Sequence, residues 1–415
     1  MHKALIVSLD LIRSGEPQVP LSTASLLAAL RADPEYGDTF TVEHCGINLL
    51  HTAQEEEQSV VLQTVLRREP RSFDTIAIAC YVWSERVVRG LLKELRRLGF
   101  DKQIVLGGPQ ISYASPEGLP EMYPEADVFV SGYAETALRT AIRNAGKHGS
   151  KVLTEAVDFN TLPSPYLSGS IDVEQGQERV RMETRRGCPY RCSFCAHRDV
   201  RNGVQSHSES RVQAEIEWLH ARQVRKVNFL DPVFNMGRDY LPLMQHMVDT
   251  RFSAAVTFQS RFELVRNEEG ERFIDLAGKL DATLEFGLQT AVESEGKAVN
   301  RRNRHADIER AMRALNEAEV PYEVSLIYGL PGQTVQSFTE SILFLQANGC
   351  RSIVAFPLML LRGTELFAER ARWGFKERPE GRFGIPVVYE SNSFSEADFG
   401  TMRQLADELS PHERV

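Results

Sequence analysis

The chain reads as an α/β protein with two parallel-sheet domains in series. Three observations predict this. Short apolar runs alternate with segments of helical period through the first third of the sequence, a proline-broken stretch follows, and a second alternating series begins near Arg179. Strands separated by helices imply parallel sheets rather than hairpins. The composition agrees: 42% hydrophobic and 25% charged residues are ordinary for a globular protein, and 415 residues suggest two or three domains.

In the first series, Ala4–Leu9 is a buried strand, Leu21–Leu30 a helix and Phe40–His44 a second strand; Val60–Leu66 lies on a helix and Thr75–Ala79 is a third strand. Val87, Val88, Leu91, Leu92, Leu95 and Leu98 recur at helical spacing. Gln103–Gly107 and Asp127–Ser131 follow as strands and Glu135–Ala145 as a helix. This is a Rossmann-like, flavodoxin-like pattern, whose ligands bind beyond the carboxyl ends of the strands. Leu162-Pro-Ser-Pro165 breaks helix and strand alike. The second series offers strands at Val180–Arg185, Lys226–Leu230, Ala255–Gln259, Thr283–Gly287, Tyr322–Tyr328 and Ile353–Leu358, with helical patterns at Val212–Leu219, Ile308–Leu315 and Phe338–Leu345. Six strand–helix units predict a partial (β/α)6 barrel of TIM type, with its chemistry at the carboxyl ends of the strands. The predicted division is 1–150 for the first domain, 151–178 for a linker, 179–365 for the partial barrel and 366–415 for a short C-terminal extension that caps or braces it.

A balance of 48 Lys and Arg against 57 Asp and Glu gives a net charge of −9. A dedicated nucleic-acid binder would be basic. The first apolar run ends at Asp10, too short for a signal peptide, and Ile353–Leu361 is too short to span a bilayer. The expectation is a cytoplasmic protein that engages neither membrane nor nucleic acid.

Six cysteines are present. Cys45, Cys80 and Cys350 lie far apart in apolar runs and read as small buried hydrophobes. Cys188, Cys192 and Cys195 share one segment, Arg186-Gly-Cys-Pro-Tyr-Arg-Cys-Ser-Phe-Cys-Ala-His197. Their C-x3-C-x2-C spacing offers three thiolates, soft ligands suited to iron–sulfur clusters or zinc. A cubane cluster normally takes four thiolates, so three leave one iron open. A zinc site would need a fourth ligand, which His197 could supply as Cys3His.

With Gly187 before it and Phe194 before the last cysteine, this segment resembles the radical S-adenosylmethionine (SAM) superfamily. The resemblance implies a [4Fe–4S] cluster on Cys188, Cys192 and Cys195, SAM chelated to the open iron, and reductive cleavage of a carbon–sulfur bond. It places Phe194 near the adenine. Leu284-Glu-Phe-Gly-Leu-Gln289 resembles the family's E-x-G-x-Q element, making Glu285, Gly287 and Gln289 SAM contacts; a carboxylate there would be expensive in a plain core. Gln259 and Arg261 stand where the family holds the ribose or carboxylate of SAM. Asp231 and Asn235 keep part of a D-D-x-F-type segment. Gly329-Leu-Pro-Gly-Gln-Thr334 matches the G-L-P-G-x-T element, with Gly329 approaching SAM, and Arg362-Gly-Thr364 resembles the P-G-T turn with Arg in place of Pro. Arg185, Arg186, Arg191, Arg198 and Arg201 crowd the cluster segment, where positive charge would favour a reduced cluster or hold an anionic substrate; a solvated loop is the reading for at least half of them.

The first domain resembles the cobalamin-binding domain of B12-type radical SAM enzymes through Val19–Ala28, Val105–Pro109, Asp127–Glu135 and Leu162–Pro165. The D-x-H-x-x-G motif that supplies a cobalt-ligating His is absent: the first strand runs into Asp10-Leu-Ile-Arg-Ser-Gly15. His44 and His51 read as surface histidines. Tyr81-Val-Trp-Ser84 resembles the segment that faces cobalt in some members. The resemblance therefore implies cobalamin held without a His ligand, near Trp83, Gly107, Gly108 and Gly132, or else a domain kept only as scaffold. The function implied is cobalamin-dependent C-methylation of a small molecule in specialised metabolism, with electrons from an external donor such as flavodoxin or ferredoxin. The alternatives are cobalamin-independent transfer of the 3-amino-3-carboxypropyl group of SAM, or another group transfer or cyclisation, and a zinc-stabilised binding protein without catalysis. No general acid or base is assigned.

Overall fold

The computed structural model describes residues 1–146, 151–197 and 203–409. It divides into two compact units, Met1–Glu174 with Gly381–Gly384, and Gln175–Glu380 with Ile385–Val415.

The first unit holds a six-stranded sheet: β1 (His2–Asp10), β2 (Phe40–Asn48), β3 (Thr75–Ala79), β4 (Gln103–Gly107), β5 (Val128–Val130) and β6 (Lys151–Leu153). The order is β2-β1-β3-β4-β5-β6, and every pairing is parallel. This is the flavodoxin-like order with one strand added. Ala4–Val7, Ile76–Ile78 and Ile104–Leu106 are apolar without alternation because both faces of the sheet are covered. Leu27 and Leu30 from helix Leu21–Arg31 join Ala137, Leu138, Ala141 and Ile142 from helix Ala134–Arg143 over Ala4, Ile6 and Val105. Helix Glu85–Arg97 buries Val87, Val88, Leu91, Leu92 and Leu95 and packs beside helix Glu57–Leu66. The sixth strand falls within 151–178, the stretch read from sequence as a linker. His44 departs from the surface role expected of it. It is half-buried on β2, its Nε2 lies 2.8 Å from Ser8 Oγ, and burial lowers its pKa to about 4, which keeps the ring neutral.

The second unit begins with β7 (Val180–Met182), then a short antiparallel pair, β8 (Arg185–Arg186) and β9 (Gln205–Ser206), and then β10 (Lys226–Phe229), β11 (Ala255–Ser260), β12 (Ala282–Gln289), β13 (Tyr322–Tyr328) and β14 (Ser352–Pro357). β7 and β10–β14 form one parallel sheet in sequential order, β14-β13-β12-β11-β10-β7. Helices Glu209–Ala221, Tyr240–Asp249, Asn267–Lys279, His305–Glu317 and Val335–Ala347 make the crossovers. This is the six-unit partial barrel. Its strands β12 and β13 alternate, as β1, β3 and β4 of the first sheet do not. On β12, Ala282, Leu284, Phe286 and Leu288 are buried, while Thr283, Glu285, Gly287 and Gln289 are half-exposed. β13 repeats the pattern, with Val324, Leu326 and Tyr328 buried. One face is therefore core, and the other is an open inner wall.

After β14 the chain forms a hairpin, β15 (Lys376–Glu380) with β16 (Ile385–Glu390), and helix Glu396–Leu409. That helix buries Phe399, Met402 and Ala406 against β13 and β14, with the Phe399 ring 5.4 Å from Tyr328. It packs against the last two strands of the barrel sheet.

Candidate functional site

The cysteine loop leaves β8 through Gly187, whose φ of +87° suits glycine. A Cβ there would run into the Gly203 carbonyl. Beneath the loop, Glu183 takes a bidentate pair from Arg186, with 2.8 and 2.9 Å to Nε, and lies 3.4 Å from His207 Nε2. Burial alone would raise the Glu183 carboxyl; the Arg186 charge and the hydrogen bonds of His207 and Arg186 outweigh it and bring it to about 2. Asp231, fully buried at the end of β10, accepts from Thr184 N at 2.7 Å, from Thr184 Oγ1 and from Arg185 N at 3.3 Å. Arg185 is itself buried, with Nε 3.6 Å from Asp231. The remnant of the D-D-x-F segment thus anchors the base of the loop.

Arg185 and Arg186 are consequently turned to Asp231 and Glu183. Arg191 is exposed, and Arg198 and Arg201 lie outside the described residues. Among the described residues, two other buried cations lie near the thiols. Arg261, 5% exposed, pairs with Glu263 and lies over the Tyr190 ring at 3.6 Å. Arg301, 7% exposed, points Nη1 at Cys192 Sγ, 3.6 Å away, and donates from Nη2 to Gly287 O. Its Nε is buried without a partner among the described residues. Sequence reasoning missed Arg301: the Asn300-Arg-Arg302 run carries charge, and nothing local signals which arginine turns inward.

The three cysteines are half-buried and unbridged, whereas Cys45, Cys80 and Cys350 are buried as expected. Burial raises Cys188, and it pushes Cys195 up to about 11, with Cys192 and Cys188 adding to the shift and the His197 N–H, 3.4 Å from Cys195 Sγ, opposing it. Each of these two shifts carries a contribution from a neighbouring cysteine of the loop. Among the described residues no three Cys, His, Asp or Glu side chains converge as a ready metal cage. Thiols become ligands by losing protons to the incoming metal. Two turns hold the loop for that event. Ser193 N donates to Val299 O at 2.9 Å, and Ser193 O accepts from Leu366 N at 2.9 Å. Ser193 Oγ bonds Glu365 at 3.0 Å, just past the Arg362-Gly-Thr364 turn. Asn300 Nδ2 donates to Arg191 O at 2.8 Å.

Gln259 and Glu285 are register partners on β11 and β12, and Glu285 pairs with Glu323 on β13. Burial, then the Glu323 charge, raises the Glu285 carboxyl. The β12–β13 register shifts between Gly287 and Gln289, and Gln289 adopts φ +72°, an uncommon conformation for a side-chain-bearing residue. A Cβ on Gly287 would lie 2.6 Å from Gln289 Nε2, so glycine leaves room for that amide. Asn303 Nδ2 holds Leu288 O at 2.9 Å. Gly329 takes φ +91° at the end of β13, and its N–H donates to Gln333 Oε1 at 2.6 Å, as does Leu330 N at 3.1 Å. Gln333 thus shapes its own turn, and Thr334 caps the next helix through a box with Ser337. Phe194 is half-buried on the loop.

In the first unit, Tyr81 and Trp83 stack at 4.4 Å and 9°, half-exposed past the end of β3. Trp83 Nε1 donates to Leu9 O at 3.2 Å. Gly108, at φ +92°, presses on the backbone of Cys80; Cys80 N donates to Gly107 O at 2.8 Å. Gly132, at φ +93°, donates its N–H to Ser112 Oγ at 3.0 Å. Trp83, Gly107, Gly108 and Gly132 thus share the carboxyl-end edge of this sheet.

Residues 182–345 match the family model described as the radical SAM superfamily. The chain is 27% identical over 330 residues to the cobalamin-dependent radical SAM methyltransferase TokK of Streptomyces tokunonensis, covering 71% of this chain and 48% of that protein. It is 27% identical over 325 residues to 2-(S-pantetheinyl)-carbapenam-3-carboxylate methyltransferase of Streptantibioticus cattleyicolor, covering 69% of this chain and 47% of that one. The chain thus spans about half the length of these relatives. Among solved structures, the radical SAM methyltransferase TsrM of Kitasatospora setae superposes with a TM-score of 0.71 at 17% identity, covering 99% of this chain and 89% of TsrM. The cobalamin-dependent SAM radical enzyme OxsB superposes with a TM-score of 0.63 at 17% identity, covering 98% of this chain and 61% of OxsB. These likenesses establish the two-domain fold.

Proposed function

We propose that this chain, a member of the radical SAM superfamily through residues 182–345, is an enzyme that uses a [4Fe–4S] cluster, SAM and cobalamin to methylate a small molecule in specialised metabolism. The observation that carries the reading is the loop of three unbridged, half-buried cysteines, with Cys192 Sγ 3.6 Å from a buried guanidinium whose Nε has no partner among the described residues. That donor set fits a negatively charged cluster with one iron left for SAM. The half-exposed Trp83–Tyr81 stack at a flavodoxin-type sheet edge fits a broad, flat corrinoid, and the absence of a His after β1 fits one held without that ligand. When bound, the cluster supplies the electron that cleaves SAM, and the corrinoid carries a methyl group.

The chain's own residues bind and orient. Cys188, Cys192 and Cys195 are the cluster ligands. Gln259, Glu285 and Gln289 line the half-exposed inner wall and contact SAM, and Gly287 and Gly329 put no side chain in its way. Phe194 flanks the adenine. Arg261, already engaged by Glu263 and Tyr190, orders the loop and has less freedom to grip a carboxylate. Trp83, Gly107, Gly108 and Gly132 form the corrinoid edge. Electrons come from an external flavodoxin- or ferredoxin-type donor. The whole chain, reconstituted without oxygen and given SAM and a reductant, should yield 5′-deoxyadenosine and retain added corrinoid. Methylthioadenosine without bound corrinoid would point to aminocarboxypropyl transfer instead and overturn the methylation reading.

A further inference from the structure

We infer that Arg301 is a positioning residue that locks the cluster loop to the bulged end of β12 and raises the reduction potential of the bound cluster; this rests on the cluster assignment above. The turn Val299–Arg304 follows helix Glu293–Ala298 and touches both elements. On one side it holds Ser193 N, Arg191 O and Cys192 Sγ, through Val299 O, Asn300 Nδ2 and Arg301 Nη1. On the other side Arg301 Nη2 reaches Gly287 O, and Asn303 Nδ2 reaches Leu288 O. One guanidinium therefore spans from a cluster thiol to the strand whose register slips to present Gln289.

A buried cation is expensive unless its charge is answered. The contacts of Arg301 here are a sulfur and a carbonyl, and Glu263, a carboxylate whose charge acts on it, is already engaged by Arg261. Three thiolates around an iron–sulfur cubane carry net negative charge, which grows when the cluster is reduced. A fixed guanidinium donating N–H to one of those sulfurs stabilises the reduced form more than the oxidised one, and hydrogen bonds and charge are the levers that set such potentials. Lysine could supply the charge. It could not bond Cys192 Sγ and Gly287 O at once with the fixed fork of arginine.

The test compares wild type, R301Q, R301K and, as a control on an exposed neighbour, R302Q. Each full-length protein is reconstituted anaerobically with iron and sulfide, its iron content is measured, and its midpoint potential is read by redox titration followed by electron paramagnetic resonance. The expected order of potential is wild type and R302Q together, R301K lower, and R301Q lowest. Loss of iron from folded R301Q, with R302Q fully loaded, supports the locking role as well. Equal potential and iron content in R301Q and wild type overturns the proposal. If R301Q does not fold, R301K decides: a potential equal to wild type overturns it. A wild type that takes up no iron refutes the cluster assignment instead, so the two failures are distinct.

Discussion

Replacing Gly108 by alanine should destabilise the first unit by about 2–6 kcal/mol. Two costs add. Gly108 sits at φ +92° and ψ 177°, a region reserved for glycine, and holding alanine there costs about 1–3 kcal/mol. The new Cβ would also lie 2.7 Å from Cys80 O and 2.9 Å from Cys80 N. Those atoms are backbone at the end of β3, tied to Gly107 O at 2.8 Å and to Gln110 N at 3.2 Å, so they cannot swing away as a side chain would. Overpacking of that kind costs about 1–3 kcal/mol. At about 2–4 °C per kcal/mol for a unit of this size, the melting transition should fall by roughly 4–24 °C. Gly107 is the internal comparison: a Cβ there meets Val130 Cβ and O at an ordinary 3.7 Å. Differential scanning calorimetry of the full chain should show G107A within about 1 kcal/mol of wild type and G108A well below it. A G108A transition at the wild-type temperature would refute the packing argument. G107A, being folded, should nevertheless retain less corrinoid if backbone approaches the ligand there.

Trp83→Ala removes the Tyr81 stack and the bond to Leu9 O; it should cost about 1–3 kcal/mol and abolish corrinoid retention, read from the visible absorbance of the purified protein. Asp231→Asn leaves one of its donors without a carboxylate oxygen and should destabilise the second unit by about 1–3 kcal/mol in urea unfolding. Glu183 contributes to acid stability. Its folded pKa of about 2 lies below the ordinary carboxyl value of 4.5, so its contribution is present above about pH 4.5 and is lost as pH falls towards 2; E183Q should flatten the decline of stability across that window.

Much of the architecture was legible because both sheets are written in apolar runs. Thr75–Ala79, Gln103–Gly107 and Tyr322–Tyr328 have the bounds their sequence suggests. Val180–Arg185 instead splits into β7 and β8, because Asp231 turns the backbone at Thr184 and Arg185. Sequence placed the cysteines on one loop after the first barrel strand, since spacing is local. It left open which arginines around them carry charge into the site. Arg185 and Arg186 find carboxylates brought by β10 and by Glu183, and Arg301, more than a hundred positions after Cys192, supplies the buried cation. Such pairings are made by tertiary contact, and no local pattern encodes them. His44 was misread for the same reason: its partner, Ser8, lies across the sheet.

The central claim is that Cys188, Cys192 and Cys195 hold a four-iron cluster with one site left open. Mössbauer and electron paramagnetic resonance spectra of iron-57-reconstituted protein, recorded with and without SAM, test it most directly. The account predicts a [4Fe–4S] cluster in which one iron differs from the other three and responds when SAM is added. A single zinc bound by the three thiolates and His197, with no iron–sulfur signal, would contradict it.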